Sequence, residues 1–517
     1  MRILFIYTRE IPQSPVKPLT YLDAIQFGIS YISAFLKKHG HETRLLVLTR
    51  QSDFSSIDAY LAEFSPQVVA FTAVATEYPF VEKIGLYIKT HYPDLFLLIG
   101  GVHVSLAPDD SMLDTFDALC VGEGEEAMLE LVQQLERGEL PSGIPNLWIK
   151  KAGVIEKIPM RPFLRDLDAL PFPDRGMWDE WIDLSRSSKR PTLLLGRGCP
   201  YDCTYCCNHA LRKLTGGRYV RTRSPENIIR EIEEVLEQLP MVREFYLEIE
   251  TFGANWNWSM ELCALLEKLN AKRAQPLAFG VNMRITSSLM KRDLDEYFSR
   301  LKKSNFRYVH IGLESGSERV RREILRRDYS NAEISRAVAI AKKHGLEVMI
   351  FNLIGLPTET LDDFHETVRM NQICLPGWSY HSIFYPYPGT DLYNQCKQMG
   401  VLPHDLLDHG QERVRAILDF PEFSREQIQK AYIWFDYYVY HDHKPVSFLA
   451  NLVVYKYRQI YGADRNNNLP AIVAKDLLDP SLRFDAQYHP ETMLNELIKF
   501  MPQLKDHLPI RTGSAHS

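Results

Sequence analysis

The sequence predicts an α/β protein with two successive sheets: a doubly wound parallel sheet, then a partial (β/α)6 barrel, then a helical carboxyl-terminal region. Three observations predict it. Apolar strand-like runs alternate with helix-period segments through the first 150 residues, a second alternation begins at Pro191, and the strand pattern stops after about Leu402. Strands that alternate with helices pair in parallel, because the helix is the crossover that a parallel pair requires. At about 100–200 residues per domain, a chain of 517 residues holds about three. The expected units are residues 1–145, a linker over 146–185, the barrel over 186–400 and helices over 401–517.

The first unit opens on an apolar run at 2–7 and a helical pattern over 21–39 (Ile25, Ile29, Ile32, Phe35, Leu36) that stops at Gly40. Strands follow at 43–48, 67–72, 95–99 and 118–121, and helices at 58–64, 78–92 and 125–136. Residues 141–155 read as a small hairpin, and the proline-rich, aperiodic segment 166–175 reads as a linker. In the second alternation the strands are 192–196, 244–250, 277–282, 308–314, 347–354 and 380–385. Its helices are 226–238, 259–269, 287–302, 332–344 and 362–373. Ser224-Pro225 marks a helix start, since Ser caps the free N–H groups and Pro has none to lose. Six units make a barrel shorter than the closed eight-unit form.

Two further helical patterns, 425–440 and 446–461, are rich in aromatics, including Tyr432, Trp434, Phe435, Tyr437, Tyr438 and Tyr440. Such side chains more often pack than bind, so a core role is favoured over a cover for the site. The tail 511–517 is small and polar and is expected to be disordered.

Composition excludes several classes. The formal charge of −6 argues against a polyanion-wrapping protein, which would carry a basic excess. No stretch approaches the roughly 20 apolar residues that span a bilayer. The opening MRILFIYTREIP is too short an apolar run for a secretory signal and reads as a strand. A cytoplasmic protein is expected. Cysteine usage agrees. Of eight cysteines, four fall within nine residues (Cys199, Cys203, Cys206, Cys207), and Cys120, Cys263, Cys374 and Cys396 are scattered. Clustering of this kind points to metal or redox chemistry rather than a disulfide framework.

Cys199, Cys203 and Cys206 have the spacing C-x3-C-x2-C, directly after the first strand of the second alternation. Three thiolates on one tight loop can hold three irons of a [4Fe–4S] cube and leave the fourth iron open. Zinc is the alternative, but a structural zinc wants four ligands, usually as two separated pairs. Cys207 or His209 would have to supply the fourth, and adjacent residues rarely turn both side chains to one metal. The ligand count favours the cluster, with Cys207 a small buried residue.

This pattern, with Tyr205 before the third Cys, resembles the radical S-adenosylmethionine (SAM) enzymes. The resemblance runs over about 191–393 and includes Gly312-Leu313-Glu314-Ser315-Gly316, Ile354-Gly355-Leu356-Pro357-Thr358-Glu359-Thr360 and Tyr387-Pro388-Gly389-Thr390, each at a strand end. It implies a partial (β/α)6 barrel in which SAM binds the open iron and is cleaved to a 5′-deoxyadenosyl radical. It implies Cys199, Cys203 and Cys206 as iron ligands. It puts Glu314 and Ser315 at the SAM ribose or carboxylate, and Ile354 and Gly355 at the adenine. At the end of the second strand, Ile249-Glu250-Thr251-Phe252 keeps the second carboxylate and the Phe of the Asp-Asp-x-Phe seen in related proteins, so Glu250 is the candidate for the SAM amino group. Arg284 is the candidate for the SAM carboxylate, against an alternative as a surface ion pair.

In the first unit, Gly100-Gly101 follows a strand, and a backbone without Cβ lets a bulky ligand approach. The first strand leads into Thr8-Arg9-Glu10 with no G-x-G-x-x-G, which disfavours a dinucleotide. Together with Phe27-Gly28-Ile29, the turn Gly100-Gly101-Val102-His103, Gly122-Glu123-Gly124-Glu125 and the linker 166–173, this resembles the Rossmann-like cobalamin-binding domain that precedes many radical SAM barrels, in methylases of the class B kind. The resemblance implies cofactor contacts from Thr72, Thr76, Gly100, Gly101, His103, Gly122 and Glu123, with residues 72–78 facing the lower side of the corrin. His103 is read equally well as a hydrogen-bonded loop histidine. The Asp-x-His-x-x-Gly that ligates cobalt in mutases is missing, which implies base-off cobalamin without an axial His ligand.

Together the resemblances imply a cobalamin-dependent radical SAM enzyme that methylates an unactivated carbon of a small molecule through methylcobalamin. They also imply reduction by an external donor such as flavodoxin or ferredoxin, while the charge balance leads us to expect no nucleic-acid partner. Ring closure or rearrangement with the same cofactors is the alternative. A methylthiotransferase would need about three more cysteines, and only Cys120 precedes Cys199. A cobalamin sensor with a dead barrel sits poorly with the intact cysteine triad and Glu314.

Overall fold

The computed structural model describes residues 1–10, 17–19, 25–109, 115–151, 153–183, 190–408, 412–462, 468–478 and 490–508. The expected tail at 511–517 and the start of the expected first helix lie outside them.

The first sheet comprises β1 (Arg2–Arg9), β2 (Glu42–Thr49), β3 (Val68–Thr72), β4 (Phe96–Gly100), β5 (Ala118–Cys120), β6 (Leu147–Lys151) and β7 (Val154–Lys157) in the order β2-β1-β3-β4-β5-β6-β7. Strands β1 to β5 are parallel, and β6 and β7 run antiparallel. Ile3, Leu4, Phe5 and Ile6 of β1 are all buried, as a strand covered on both faces requires. The cover is α1 (Phe27–Lys38), α2 (Ser55–Phe64), α3 (Tyr78–His91), the single turn α4 (Val102–Leu106) and α5 (Glu125–Glu136). The expected hairpin therefore belongs to this sheet and not to a junction, since Ala118, Leu119 and Cys120 pair with Ile149, Trp148 and Leu147. The proline-rich segment is pinned rather than loose. Trp178 is fully buried and donates to Ser30 Oγ at 2.9 Å, and Asp174 pairs with Lys37 at 2.6 Å.

The barrel sheet comprises β8 (Thr192–Leu194), β11 (Glu244–Glu248), β12 (Ala278–Met283), β13 (Phe306–Glu314), β14 (Glu347–Ile354) and β15 (Trp378–Ile383) in the order β15-β14-β13-β12-β11-β8, all parallel. A separate ribbon pairs β9 (Gly196–Arg197) with β10 (Arg221–Thr222). Between the strands lie α6 (Cys207–Leu211), α7 (Pro225–Gln238), α8 (Trp256–Ala271), α9 (Ser287–Met290), α10 (Leu294–Lys303), α11 (Asn331–Lys343), α12 (Leu361–Cys374) and α13 (Asp391–Met399). The single helix expected over 287–302 is two, because Asp293 caps Glu296 N at 3.0 Å and starts a second helix.

Beyond the barrel, α14 (Arg425–Tyr440), α15 (Val446–Tyr461), α16 (Leu469–Leu478) and α17 (Pro490–Phe500) form one core with β14, β15 and α12. The α14 aromatics are buried and pack, as favoured: Phe435 stacks on His381 with centroids 4.5 Å apart, and Tyr440 donates to Pro376 O at 3.2 Å. Lys456 of α15 reaches Asp436 at 2.7 Å and His381 at 2.6 Å, tying both helices to the edge strand. Among the described residues no helix is long and apolar enough to cross a membrane.

The two faces of the barrel sheet differ. Phe245, Leu247, Phe279, Val281, Val309 and Ile311 pack against the helices. The alternate residues form a polar string across four strands. Tyr246 donates to Asn282 and lies 3.1 Å from His310 Nδ1, Asn282 donates to Glu248 at 3.2 Å, and His310 Nε2 lies 3.1 Å from Met349 Sδ. Burial first, and the neighbouring Glu250 charge second, push the Glu248 carboxyl up to about 7. A carboxyl whose folded value exceeds its unfolded one binds protons more tightly when folded, so stability falls as pH rises from 4.5 towards about 7. Glu248→Gln in the cofactor-free chain should match the parent near pH 4.5 and exceed it by about 1–3 kcal/mol at pH 8, read as the difference between urea midpoints.

Candidate active site at the junction of the two sheets

The cysteine loop leaves β9 through Gly198, whose φ of +84° is left-handed and where a Cβ would fall 2.4 Å from Tyr219 O. Only glycine fits. The loop tightens where Cys206 N donates to Cys203 O at 3.1 Å. Hydrogen bonds from Cys207, and then from the Asn208 backbone and side chain, draw the Cys206 thiol down against its burial, favouring the thiolate that ligates iron. Among the described residues no three His, Cys, Asp or Glu side chains converge on a single ion. Of the spare zinc donors, His209 faces Asp391 at 3.1 Å, and Cys207, half-buried rather than buried as expected, shares a hydrogen bond with Cys206. Three thiols on one short loop, with none of them in a disulfide, suit a cube that takes one thiolate per iron.

Around the loop stand the ends of the barrel strands. Arg284, following β12, is buried; its Nη1 lies 2.8 Å from Cys203 Sγ, its guanidinium covers the Tyr201 ring at 4.0 Å, and its Nε has no partner. It is no surface ion pair. Glu250 stands exposed beyond β11, near enough for its charge to oppose ionisation of Cys199 and Cys206. Glu314 ends β13 at φ +61°, where the pairing with β14 shifts register, and its Oε1 pairs with Arg327 at 3.1 Å. Ser315 is fully buried with its Oγ 3.3 Å from Thr367 Oγ1 of α12 and accepts from Ser317 N at 3.2 Å. Ile354 is buried, and Gly355, at φ +79°, leaves 2.7 Å between a Cβ and Ile428 of α14. Its N–H and that of Leu356 donate to Glu359 Oε2 at 2.6 and 2.9 Å, while burial pushes the Glu359 carboxyl up to about 8.

At the carboxyl end of the first sheet a cavity of about 240 Å³ opens between the strands and α1 and α5. Phe5, Ala70, Leu98, Ile29, Ile32 and Met128 give it an apolar lining, and Thr72, Gly100, Gly101 and Gly122 line it as well. Gly101 has φ +104°, and a Cβ there would lie 2.6 Å from Ala73 O and 2.8 Å from Thr72 Oγ1. A slot of this size behind a glycine turn suits the tail of a larger ligand whose body lies outside it. Glu123 lines the cavity too, and it, Thr76 and His103 have protein partners of their own. Glu123 accepts from Arg197 at 3.0 Å, from Arg221 at 2.9 Å and from Leu164 N at 2.8 Å. Thr76 donates to Glu412 at 2.6 Å. His103 is 4% exposed, with its ring 4.6 Å from Tyr78.

The two carboxyl ends meet. A Cβ on Gly389, after β15, would fall 2.8 Å from Leu106 Cβ of α4, the turn that follows Gly101. Arg197, two residues before Cys199, lines the cavity of the first sheet and bonds Glu123 and Glu125. Sequence reasoning missed Arg197, Arg221 and Arg327. The signal available for Arg197 was its place between two glycines ahead of the cysteines; Arg326-Arg327 reads as ordinary surface charge.

Comparison with known proteins agrees with this geometry. Residues 193–370 match the model of the radical SAM superfamily, and residues 19–132 match that of the B12 binding domain. An uncharacterised methyltransferase of Pyrococcus horikoshii is 25% identical over 82% of this chain and 90% of its own length. The anaerobic magnesium-protoporphyrin IX monomethyl ester cyclase of Rubrivivax gelatinosus is 24% identical over 71% of this chain and 65% of its own. The solved structure of the radical SAM methyltransferase TsrM from Kitasatospora setae, with cobalamin and a [4Fe–4S] cluster bound, shares the fold with a TM-score of 0.60 and 16% identity, over 92% of this chain and 95% of that one. With a barrel that ends in three clustered cysteines and a first sheet that ends in a glycine-lined cavity, the chain belongs to the radical SAM enzymes that carry a B12-binding domain.

Proposed function

We propose that this enzyme methylates an unactivated carbon of a small molecule, held between the ends of the two sheets. The observation that carries the reading is their contact, Leu106 of α4 against Gly389 after β15, which brings a SAM-binding end and a cobalamin-binding end to one place. When bound, SAM on a reduced cluster supplies a carbon radical and cobalamin supplies a methyl group; one reaction uses both. Cys199, Cys203 and Cys206 hold the cluster. Arg284, Glu314 and Glu250 surround the space open to SAM, and Gly100, Gly101 and the apolar cavity hold the corrinoid. The polar string of Tyr246, Glu248, Asn282 and His310 offers hydrogen bonds to a substrate inside the barrel.

Cobalamin is bound base-off with no histidine on cobalt. Residues 1–150 contain His39, His41, His91 and His103. His39 bonds Phe35 O at 2.8 Å, His91 bonds Tyr87 O at 2.9 Å and His41 lies 3.2 Å from the amino terminus, all away from the strands' carboxyl ends. His103 is buried against Tyr78, and the loop after β3 presents Val74, 43% exposed, which has no donor atom for cobalt.

Methyl transfer is checked with SAM carrying a CD3 group, cobalamin, reductant and candidate substrates under anaerobic conditions. The expected product is heavier by CD3 in place of one hydrogen, with both 5′-deoxyadenosine and S-adenosylhomocysteine formed. Deoxyadenosine alone with an altered, unlabelled product would assign the chain to the cyclising or rearranging class, which the cyclase relative represents. For cobalt, electron paramagnetic resonance of bound cob(II)alamin should show no nitrogen superhyperfine splitting; a three-line pattern from an axial nitrogen would refute the histidine-free assignment.

A further inference from the structure

The end of β13 is an irregular backbone held by buried side chains: Arg321 donates to Ser315 O at 2.6 Å, and Arg327 and Tyr329 hold the carbonyls before it. At Gly312 the ladder to β14 slips register, and Glu314 follows in the left-handed region at φ +61°. That conformation is unfavourable for a residue with a Cβ, so it persists only where the surroundings over-determine it. Of these side chains, Arg327 is the one that also pairs with the Glu314 carboxylate. Its Nη1 donates to Gly312 O at 2.7 Å and to Tyr329 Oη at 3.0 Å; Tyr329 in turn donates to Gly312 O and Leu313 O, both at 2.9 Å. Its Nη2 meets Glu314 Oε1 at 3.1 Å and Tyr205 Oη at 3.0 Å. Gly312 leaves room for the pair, since a Cβ there would fall 2.4 Å from Glu314 Oε1 and 3.0 Å from Arg327 Nη1.

Tyr205 belongs to the cysteine loop and directly precedes Cys206. A single buried guanidinium, 7% exposed, therefore joins the loop that carries the cluster to the strand end that carries Glu314. A guanidinium suits the task because its planar fork is always charged and presents several donors at fixed angles.

We propose that Arg327 is a positioning residue of the SAM site: it fixes the Glu314 carboxylate and the Tyr205 ring relative to each other, so that SAM affinity depends on it through Glu314. The inference rests on the reading of Glu314 as a SAM contact. Arg327→Met, Glu314→Gln, the double variant and Tyr205→Phe are reconstituted with iron and sulfide, and SAM binding is measured by titration calorimetry beside iron content. Charged hydrogen bonds of this kind predict a roughly ten- to hundredfold weaker SAM affinity in Arg327→Met with iron content retained. The double variant should bind no more than twofold weaker than the weaker single variant. The isosteric Tyr205→Phe, which loses one bond, should bind about three- to tenfold weaker.

SAM affinity within twofold of the parent in iron-loaded Arg327→Met would overturn the proposal. So would an undiminished Arg327→Met penalty in the Glu314→Gln background, which would show that Arg327 acts elsewhere. If Arg327→Met takes up no iron, Tyr205→Phe decides, and parental affinity there overturns it. A parent that holds iron yet binds no SAM would sink the SAM site itself, a different result from any of these.

Discussion

The arrangement of the whole site depends on a partly buried set of ion pairs between the two sheets. Glu123, on the turn after β5, accepts from Arg197 and Arg221, and Arg197 also bonds Glu125 at 2.5 Å. Burial alone would raise the Glu123 pKa; the two guanidiniums outweigh it and hold the carboxyl below its usual range. Taking such charges out of water is costly unless they are paired and hydrogen-bonded, and removing one partner strands the rest. The network therefore favours one relative placement of the domains. It acts at the root of the cysteine loop, because Arg197 and Arg221 form the two-strand ribbon from which that loop springs. A second layer, Arg223 and Arg175 on the buried carboxylate of Glu231, extends the join to the proline-rich segment.

This explains why that segment is no free linker. Trp178 and Asp174 bind it to α1, and Arg175 binds it to α7. A linker that allowed the domains to drift would leave the cavity of the first sheet and the barrel mouth at variable separation, whereas chemistry between two bound cofactors needs atoms within about an ångström of a productive position.

Much of this was legible in the sequence. Hydrophobic periodicity located every strand of the barrel sheet within a few residues, because parallel strands packed under helices must be apolar on the helix side. The cysteine spacing and the glycines at strand ends were legible for the same reason: tight loops and close approaches leave few residue choices. What escaped was long-range. Nothing local says that the 147–157 hairpin pairs with β5, that Glu123 turns to two arginines of the barrel, or that Ser315 points into α12. Arg326 and Arg327 are adjacent and chemically identical, yet the first pairs with Asp391 at the surface and the second is buried in the site. Only the tertiary fold separates them.

The contrast between the two sheet ends is itself informative. At the first sheet the backbone makes room: glycines at 100, 101 and 122 border a largely apolar cavity, and the charges on its lining, Glu123, Glu125 and Arg197, are spent on one another. At the barrel the side chains crowd in, with Arg284 over Cys203, Arg327 on Glu314 and Glu250 beyond β11, all near the loop that carries the thiols. A bulky cofactor held mainly by shape and a small charged one held mainly by ion pairs call for these two kinds of site, and a substrate lying between them would meet the polar string of the barrel on one side and the glycine turn on the other. Tyr246, Glu248, Asn282 and His310 are consumed by neither the cysteine loop nor the domain join; they bond one another on the face of the sheet turned away from the helices.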